Sequence, residues 1–190
     1  KIIVLCPKQW VNYTVDIINK YLSKTDNIIV IEAGNVRNET IMNAINYIES
    51  NYSISQDDII VTHDSVRPFV SHRIIEDNLN AAEKYGACNT VIPATDTIVH
   101  STDGEFINNI PNRANMYQGQ TPQSFKILKL KELYNKLSKE EKEILTDAAK
   151  IFIINDENVF LVNGEVTNVK ITYPYDLRVA NSILKEKWFY

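Results

Sequence analysis

The segment DIIVTHDSVRPFVSHRIIEDNLNAA, residues 58–82, decides the fold class. It begins with a β-rich run, Asp58 to Thr62, of the length and composition of a buried strand. A polar loop over residues 63–70 follows, and apolar side chains then recur at the three- and four-residue spacing of a helix, beginning with Ile74. The order strand, loop, helix predicts one β–α unit.

The same order extends outward from this segment in both directions. Strands are predicted at Lys1 to Cys6 and Asn27 to Glu32, each before a helical pattern, and another strand at Cys88 to Pro93. Strands in regular alternation with helices imply right-handed crossovers. The sequence therefore predicts an α/β, Rossmann-like fold with a mainly parallel sheet and helices on both faces.

The remaining sequence departs from this rhythm at two places. Asp103-Gly104 is a strong hairpin-turn signal, so residues 95–115 are predicted to form a protruding β-hairpin arm. Met116 to Phe125 shows no clear period. Beyond it, helices are predicted over 126–137, over 139–150 with a Ser138/Glu141 capping box, and from Pro174 onward, with strands near 159–162 and 169–172.

Composition excludes several classes of protein. The chain of 190 residues, with 44% hydrophobic and 23% charged residues, is typical of one globular domain. A net charge of -4 offers no basic surface for nucleic acid, and apolar runs of strand length predict no membrane insertion. Cys6 and Cys88 lack metal-ligand spacing, which indicates reduced thiols and predicts a cytoplasmic location.

The loops at the carboxyl ends of the strands are the candidate ligand site. After the second strand, Gly34, Arg37 and Thr40 combine close backbone approach, a cation and a hydroxyl, although this loop taken alone favours an ordinary turn with a surface arginine. After the third strand, Asp64 can hold Mg²⁺ against substrate phosphates, or it can cap the loop and pair with Arg67. His63 and His72 lack further spaced ligands and are interpreted as structural or solvent-facing residues.

Four cations are predicted to share one rim of this acidic protein: Arg37, Arg67, Arg113 and Lys170. A lysine in a late strand is usually a solvated edge residue, so Lys170 indicates an anion-binding site only together with the three arginines. Phosphate oxygens accept charge-assisted hydrogen bonds from such groups, which indicates a small polyanionic substrate. The sequence contains no Walker loop, GxGxxG, GxSxG or HExxH motif.

Four motifs together resemble one enzyme family. They are HDSVRPF at 63–69, MYQGQTPQSF at 116–125, TDA at 146–148 and NVKITYPYDL at 168–177. In order and over essentially the whole chain they are similar to the cytidylyltransferases that form CDP-alcohols, which have a nucleotide-diphospho-sugar transferase-like fold. The VRPF and YQGQTPQSF wording is closer to the ribitol-5-phosphate branch than to the methylerythritol-phosphate branch.

The resemblance implies transfer of a cytidylyl group from CTP to D-ribitol 5-phosphate, which gives CDP-ribitol for teichoic acid synthesis in the cell wall, and pyrophosphate. The alternatives are 2-C-methyl-D-erythritol 4-phosphate as acceptor, in isoprenoid synthesis, and a noncatalytic nucleotide-binding module. By similarity, Asp64 and Lys170 are catalytic, and Asp64 binds Mg²⁺, the expected cofactor. The implied nucleotide ligands are Gly34, Asn35, Arg37, Thr40, Asp64, Ser65 and Arg67, and the implied acceptor ligands are Thr97, Arg113, Thr121, Thr146 and Lys170.

The resemblance also implies a homodimer, because in this family the arm crosses to a neighbouring subunit. Family members begin with a strand and a glycine-rich loop that precede the strand at which this sequence opens. We therefore expect a single domain over residues 1–190 that lacks those elements, and a native enzyme that is longer. Cys6-Pro7-Lys8-Gln9-Trp10 imitates the end of the glycine-rich motif but is interpreted as a helix entry, so no catalytic role is assigned to Lys8.

Overall fold

A computed structural model describes residues 1–185. The fold is α/β, as predicted. The elements in chain order are β1 (Ile2–Cys6), α1 (Val11–Tyr21), β2 (Ile28–Glu32), α2 (Arg37–Asn51), β3 (Ile59–Thr62), α3 (His72–Tyr85), β4 (Ala87–Pro93), β5 (Tyr117–Lys126), α4 (Ile127–Lys136), α5 (Lys139–Glu143), α6 (Ala149–Ile154), β6 (Phe160–Asn163) and α7 (Pro174–Lys185), with 3₁₀ turns at Lys8–Trp10 and Arg113–Asn115.

The described residues form two compact units. The first comprises residues 1–58 and 127–157, and the second comprises residues 59–126 and the chain from Asn158 onward. The predicted single domain over 1–190 also includes residues 186–190, which lie outside the described part of the chain.

The first unit has a two-stranded parallel sheet in which Ile2 of β1 lies opposite Ile28 of β2. The 3₁₀ turn at Lys8–Trp10 leads directly into α1, so the helix entry predicted there is confirmed. The core of this unit is helical: the inward face of α2 is buried, and so are apolar residues of α4 and α6. These core residues include Ile41, Ala44, Ile45, Leu130, Leu133, Ile151 and Phe152.

The second unit has a four-stranded sheet with the order β3-β5-β4-β6. β5 is antiparallel to both β3 and β4, and β6 is parallel to β4, so this sheet is mixed where a mainly parallel one was predicted. Helix α3 packs on it from Ser71, whose hydroxyl accepts from Ile74 N, to the left-handed Gly86 with φ of 83°. Its buried residues are Ile74, Asn78, Ala81 and Ala82.

β5 is the largest departure from the sequence prediction, because no strand was assigned to residues 116–125. The sequence does not alternate here since six consecutive residues, 120–125, are buried and most of them are polar. Their polar groups are used inside the unit. Thr90 Oγ1 donates to the carbonyl of Pro122 over 2.6 Å, and Thr62 Oγ1 donates to that of Gln123 over 3.1 Å.

Two further predictions are corrected. The helix predicted over 139–150 is broken between Glu143 and Ala149, where the Asp147 carboxylate accepts from Lys150 N and begins α6. The Ser138/Glu141 capping box at the start of α5 is confirmed by both of its hydrogen bonds. The strand predicted at 169–172 is an irregular segment that makes one backbone hydrogen bond to the β3 loop, from Ile171 N to Val66 O at 2.8 Å.

The arm at 95–115 has one antiparallel bridge, between His100 and Asn109, and contains no regular strand. Its tip turns at Gly104, with φ of 80°, and is held by the Asp103 carboxylate. Hydrogen bonds from the backbone of Phe106 and Glu105 lower the pKa of Asp103. The arm carries exposed apolar side chains, Val99, Phe106, Ile107 and Ile110.

Candidate active site

The loop after β3 folds into a tight turn that carries the predicted carboxylate. The turn is closed by a hydrogen bond from Arg67 N to Asp64 O at 2.9 Å. Its sequence favours this shape because Pro68 fixes the exit of the chain. Asp64 Oδ2 lies 3.9 Å from Arg67 Nε, and the Asp64 side chain is only 18% exposed. The pairing of Asp64 with Arg67, one of the two roles that the sequence left open, is therefore present.

Lys170 approaches the same carboxylate from far along the chain. Its Nζ lies 3.3 Å from Asp64 Oδ2, and its side chain is 47% exposed. The 169–172 segment is held against the loop by the backbone bond from Ile171 to Val66. Two of the four predicted cations, Arg67 and Lys170, thus meet at one carboxylate.

The guanidinium of Arg67 is largely occupied by protein groups. Nη1 donates to the carbonyl of Asn168 over 2.7 Å, and Nη2 donates to that of Gly119 over 3.5 Å. The side chain is 11% exposed. Arg67 therefore fastens the β3 loop to β5 and to the 164–170 segment, whereas Lys170 has the more accessible charge. The role of Arg67 as a nucleotide ligand stays a prediction.

Thr121 also contacts the loop after β3. Its hydroxyl accepts from Asp64 N at 3.1 Å and lies 3.0 Å from His63 Nδ1. His63 Nε2 lies 2.9 Å from the carbonyl of Arg67. His63, which the sequence left as a structural or solvent-facing residue, thus bonds to Thr121 of β5 and to the carbonyl of Arg67 in the loop. Ser65 is exposed in the turn.

The 164–168 turn is held to β5 by a buried amide network. Gln120 Nε2 donates to Glu165 O at 2.9 Å, and Asn168 Nδ2 donates to Thr121 O at 2.8 Å and to Gln120 Oε1 at 3.2 Å. Gly164 leaves room for this network, because a Cβ at that position would lie 2.3 Å from Gln120 Oε1 and would displace the amide. Outside the turn, Arg73 binds both Asn163 O and Glu165 Oε1. These contacts fix the start of the segment that ends at Lys170.

Two of the predicted acceptor ligands lie at the base of the arm. Arg113 Nη1 donates to the carbonyl of Thr95 over 2.8 Å, and Thr97 is exposed two residues further on. The hydrogen bond to Thr95 ties the two sides of the arm together where the hairpin leaves the sheet.

The other predicted ligands belong to the first unit, where the loop after β2 bonds mainly to itself. Gly34 N donates to Thr40 Oγ1 at 3.0 Å, and Asn35 N donates to Glu39 Oε2 at 2.9 Å. A Cβ on Gly34 would lie 2.5 Å from Glu39 Cβ, so the glycine allows the loop to pass over the start of α2. Arg37 is the first residue of α2, and Thr146 lies in the break before α6.

A cavity of about 460 Å³ adjoins this loop. Burial and the negative charge of Glu39 raise the pKa of Tyr134, one of its lining residues. The cavity is lined by Glu32, Ala33, Gly34, Asn35, Glu39, Met42, Asn43 and Tyr134.

The donor set around Asp64 fits a metal ion that substrate helps to hold. Within residues 1–185, no group of three or more His, Cys, Asp or Glu side chains is arranged to bind a metal. Mg²⁺ commonly takes only one or two protein carboxylates and completes its shell with water and phosphate oxygens. A single carboxylate beside two cations is compatible with that mode of binding.

Comparison with known proteins decides the family. The sequence profile of 2-C-methyl-D-erythritol 4-phosphate cytidylyltransferase, IspD, matches residues 1–186. The chain belongs to this family. The protein is therefore a CTP-dependent cytidylyltransferase that acts on a phosphorylated sugar alcohol, and the enzymatic prediction is confirmed over the noncatalytic module.

Solved structures of this family superpose on most of the chain. The 4-diphosphocytidyl-2C-methyl-D-erythritolsynthase from Anaerococcus prevotii is 28% identical, with a TM-score of 0.80 over 97% of this chain and 78% of that one. The 2-C-methyl-D-erythritol 4-phosphate cytidylyltransferase from Francisella tularensis is 26% identical, with a TM-score of 0.81 over 96% of this chain and 79% of that one. The 2-C-methyl-D-erythritol 4-phosphate cytidylyltransferase from Thermus thermophilus is 26% identical, with a TM-score of 0.75 over 97% of this chain and 82% of that one.

The sequence did not reveal how the segment that ends at Lys170 is held. Gln120 and Asn168 lie within two of the quoted motifs, but nothing in the sequence indicates that their side-chain amides bond to each other, or that Gln120 binds the carbonyl of Glu165. Gln120 and Glu165 are separated by 45 residues.

No helix in residues 1–185 is long and apolar enough to cross a membrane.

Proposed function

We propose that this cytidylyltransferase uses 2-C-methyl-D-erythritol 4-phosphate as its acceptor. The family profile and the solved relatives carry that name, so they favour this acceptor over the ribitol phosphate that the motif wording favours. A phosphate oxygen of the acceptor attacks the α-phosphorus of CTP, and the bond from that phosphorus to the bridging oxygen breaks as pyrophosphate leaves. The product is the CDP-alcohol.

The observation that carries the chemical part of the proposal is the contact of Lys170 and Arg67 with Asp64. Joining two phosphates concentrates negative charge, and positioned cations stabilise that charge more in the transition state than in the separated reactants. Lys170 Nζ, with nearly half of its side chain exposed, has the freedom to contact phosphate oxygens. Arg67, fastened to two carbonyls, keeps the loop in place.

Asp64 is the residue proposed to hold Mg²⁺. When bound, the ion neutralises phosphate charge and orients the triphosphate. Asp64 also sets the position of Lys170 through their ion pair, so removal of this carboxylate affects both cations at once. On the nucleotide side, we propose Gly34, Asn35, Arg37 and Thr40 as ligands of the cytidine, with Ser65 near the phosphates.

The acceptor is tested by measuring pyrophosphate release with CTP and each of two phosphates, 2-C-methyl-D-erythritol 4-phosphate and D-ribitol 5-phosphate. We expect kcat/KM to be at least about tenfold higher for the methylerythritol compound, since a well-placed methyl group alone contributes about 10- to 200-fold in discrimination. D-Erythritol 4-phosphate, which lacks only the methyl group, is the matched control substrate. The Asp64→Asn variant, purified identically, reports any contaminating activity.

Ribitol 5-phosphate is the second candidate because HDSVRPF and YQGQTPQSF resemble that branch of the family. A preference for ribitol phosphate would replace the first candidate and favour a role in teichoic acid synthesis. Absence of turnover with both phosphates would overturn both candidates.

We also propose a homodimer in which the arm reaches the neighbouring subunit. The exposed Phe106 and Ile107, with 70% and 60% of their surface accessible, support the arm as an interface. In that dimer Thr97 and Arg113 serve the partner's acceptor site, together with Thr146 and Lys170 of the site's own subunit.

Subunit mixing tests this arrangement. Dimers of Asp64→Asn and Arg113→Ala subunits contain one site with both lesions and one with neither, so mixing two nearly inactive proteins restores activity. If Arg113 serves its own subunit, both sites of the mixed dimer carry a lesion, and no activity returns. Light scattering of the Phe106→Ser variant checks that the arm holds the dimer.

A further inference from the structure

A chain of three hydrogen bonds joins the end of β3 to β5. Asp64 N lies 3.1 Å from Thr121 Oγ1. The same hydroxyl lies 3.0 Å from His63 Nδ1. His63 Nε2 lies 2.9 Å from the carbonyl oxygen of Arg67. The residues linked in this way are the two ends of the predicted catalytic loop and one residue 57 positions later in the sequence.

For a neutral His63 ring, the chemistry of the two end groups assigns every proton in this series of hydrogen bonds. A backbone N–H only donates and a carbonyl oxygen only accepts, so His63 Nε2 must carry the proton that it gives to Arg67 O. In the neutral imidazole, Nδ1 is then an acceptor. With the ring neutral, Thr121 donates its hydroxyl proton to His63 Nδ1, and a lone pair of that hydroxyl accepts the Asp64 N–H.

This assignment changes the role expected of Thr121. Its only proton is committed to His63, and phosphate oxygens at the active site need donors. Thr121 is also only 5% exposed. In this arrangement the hydroxyl does not donate to the acceptor phosphate. It holds the main chain of Asp64, whose carboxylate lies 3.3 Å from Lys170 Nζ.

We propose that His63 is a positioning residue for cytidylyl transfer: by accepting the Thr121 hydroxyl proton, it orients Thr121 to hold the backbone of Asp64 beside Lys170. The inference concerns the site of the proposed function and rests on that function for its kinetic consequences. His63 itself touches neither phosphate in this scheme, so its effect reaches the chemistry only through Thr121.

Two substitutions separate the two nitrogen atoms of His63. Asparagine places its amide near the position of Nδ1, and glutamine places its amide near that of Nε2. His63→Asn should keep kcat within about threefold of wild type, and His63→Gln should lower kcat roughly tenfold with less than about threefold change in the KM for CTP, the scale of one lost hydrogen bond. If His63→Gln is the more active of the two, the Arg67 contact matters more, and the proposal is wrong.

A double-mutant cycle tests whether the effect passes through Thr121. Thr121→Val removes the hydroxyl but keeps the shape of the side chain, so it leaves His63 nothing to orient. In that background His63→Gln should change kcat by less than about twofold, because the two residues form one unit. A full, multiplicative loss would show that His63 acts by another route.

His72→Gln is the matched control. His72 lies at the start of α3 with its side chain 90% exposed, and its ion-pair contact is to Glu76 over 3.7 Å. It should leave kcat and the melting temperature unchanged. Melting temperatures of all variants show whether a lost kcat reflects a lost fold, and the contrast between Asn and Gln at position 63 remains interpretable even if both are less stable.

NMR measurements test the same series of hydrogen bonds in the absence of substrate. The ¹⁵N shifts of the His63 ring should show the Nε2–H tautomer, and amide exchange at Asp64 should quicken roughly tenfold in Thr121→Val and His63→Gln but not in His63→Asn. An Nδ1–H tautomer, or unchanged exchange at Asp64, would contradict the proposal. Because this result is independent of turnover, failure of the wild-type protein on both acceptors would count against the proposed function alone.

Discussion

Two loops of this protein occupy equivalent places in the chain, each between a strand and the helix that follows it, but they are stabilised in opposite ways. In the loop between β2 and α2, the hydrogen bonds of Gly34, Asn35 and Thr40 span four to six residues. In the loop between β3 and α3, the bonds of Asp64 and Arg67 reach 57 and 101 residues along the chain.

The first loop depends mostly on contacts that are close in sequence, whereas the second depends on contacts between distant parts of the chain. The loop between β2 and α2 takes most of its hydrogen bonds from its own helix, with one further bond from Ala33 N to Cys6 O in β1. A loop that bonds to Thr121 and Asn168 exists only when the four-stranded sheet and the 164–170 segment are in place. We therefore expect substitutions in the first loop to lower stability, in addition to any loss of the cytidine contacts proposed there, and substitutions around the second to act mainly on turnover.

Asp64→Asn is expected to have the largest effect. It removes the charge that faces Lys170 and Arg67 while preserving size, so turnover should fall by roughly two to three orders of magnitude, the scale of one preorganised electrostatic contact. The measurement is kcat at saturating CTP, acceptor and Mg²⁺. Asp16→Asn, on the exposed side of α1, is the control. Unchanged turnover would show that Asp64 is not an active-site residue and would contradict the different roles assigned to the two loops.

Lys170→Met should follow, with a loss of roughly 10- to 100-fold in kcat/KM. Methionine keeps the length of the side chain but removes the ammonium, and a hydrogen bond to a charged group contributes about 1.5–3 kcal/mol. The melting temperature should change little because the lysine side chain is 47% exposed. Lys126→Met, at the end of β5, serves as the matched control. A large fall in melting temperature with normal kinetics would assign Lys170 a structural role.

Gly34→Ala should act on stability first. The added Cβ would lie 2.5 Å from Glu39 Cβ and 2.9 Å from Thr40 N, so the loop or the first turn of α2 must move. Overpacking of this kind costs about 1–3 kcal/mol in the free energy of unfolding. The measurement is the midpoint of unfolding in urea. Gly119→Ala is the control, since the nearest atom to a Cβ at that position is 3.8 Å away. Gly104→Ala is unsuitable because φ is positive at Gly104. An unchanged midpoint would contradict the close packing.

Thr40→Val should have the smallest effect, but it distinguishes most directly between a structural role and a nucleotide-binding role for the hydroxyl. It removes the acceptor of Gly34 N, and a net loss of about 0.5–1.5 kcal/mol of stability is expected. If the hydroxyl serves only the loop, the KM for CTP stays within about threefold of wild type once the temperature is well below the melting point. A tenfold rise in that KM without loss of stability would identify the hydroxyl as a nucleotide ligand.

Much of the fold could be predicted from the sequence because most elements obey a local rule. β1 to β4 and α1 to α3 follow apolar periodicity, and Ser138 with Glu141 follows a capping rule. β5 could not be found in this way. Both of its faces are buried and carry polar residues such as Gln123 and Ser124, whose side-chain partners lie in β4 and α3, so the hydropathy pattern does not reveal the strand.

The candidate site was predictable in part for the same reason. Asp64 stands directly after an apolar strand, a position that local sequence reveals. Its contact with Lys170 depends on a segment that makes no regular strand. The hydrogen bond from Thr121 to His63 joins residues 58 positions apart. No spacing rule connects such pairs, and only the folded sheet brings them together.

The absence of a side chain at Gly164 has a consequence for how the site can vary. Any larger residue there would push on the amide of Gln120, and Gln120 anchors the turn that delivers Lys170. A substitution at Gly164, six positions before the lysine and without a functional group of its own, is therefore expected to displace the ammonium group of Lys170 from Asp64. Engineering of this enzyme's acceptor range should leave that glycine untouched and explore the exposed edge of the arm.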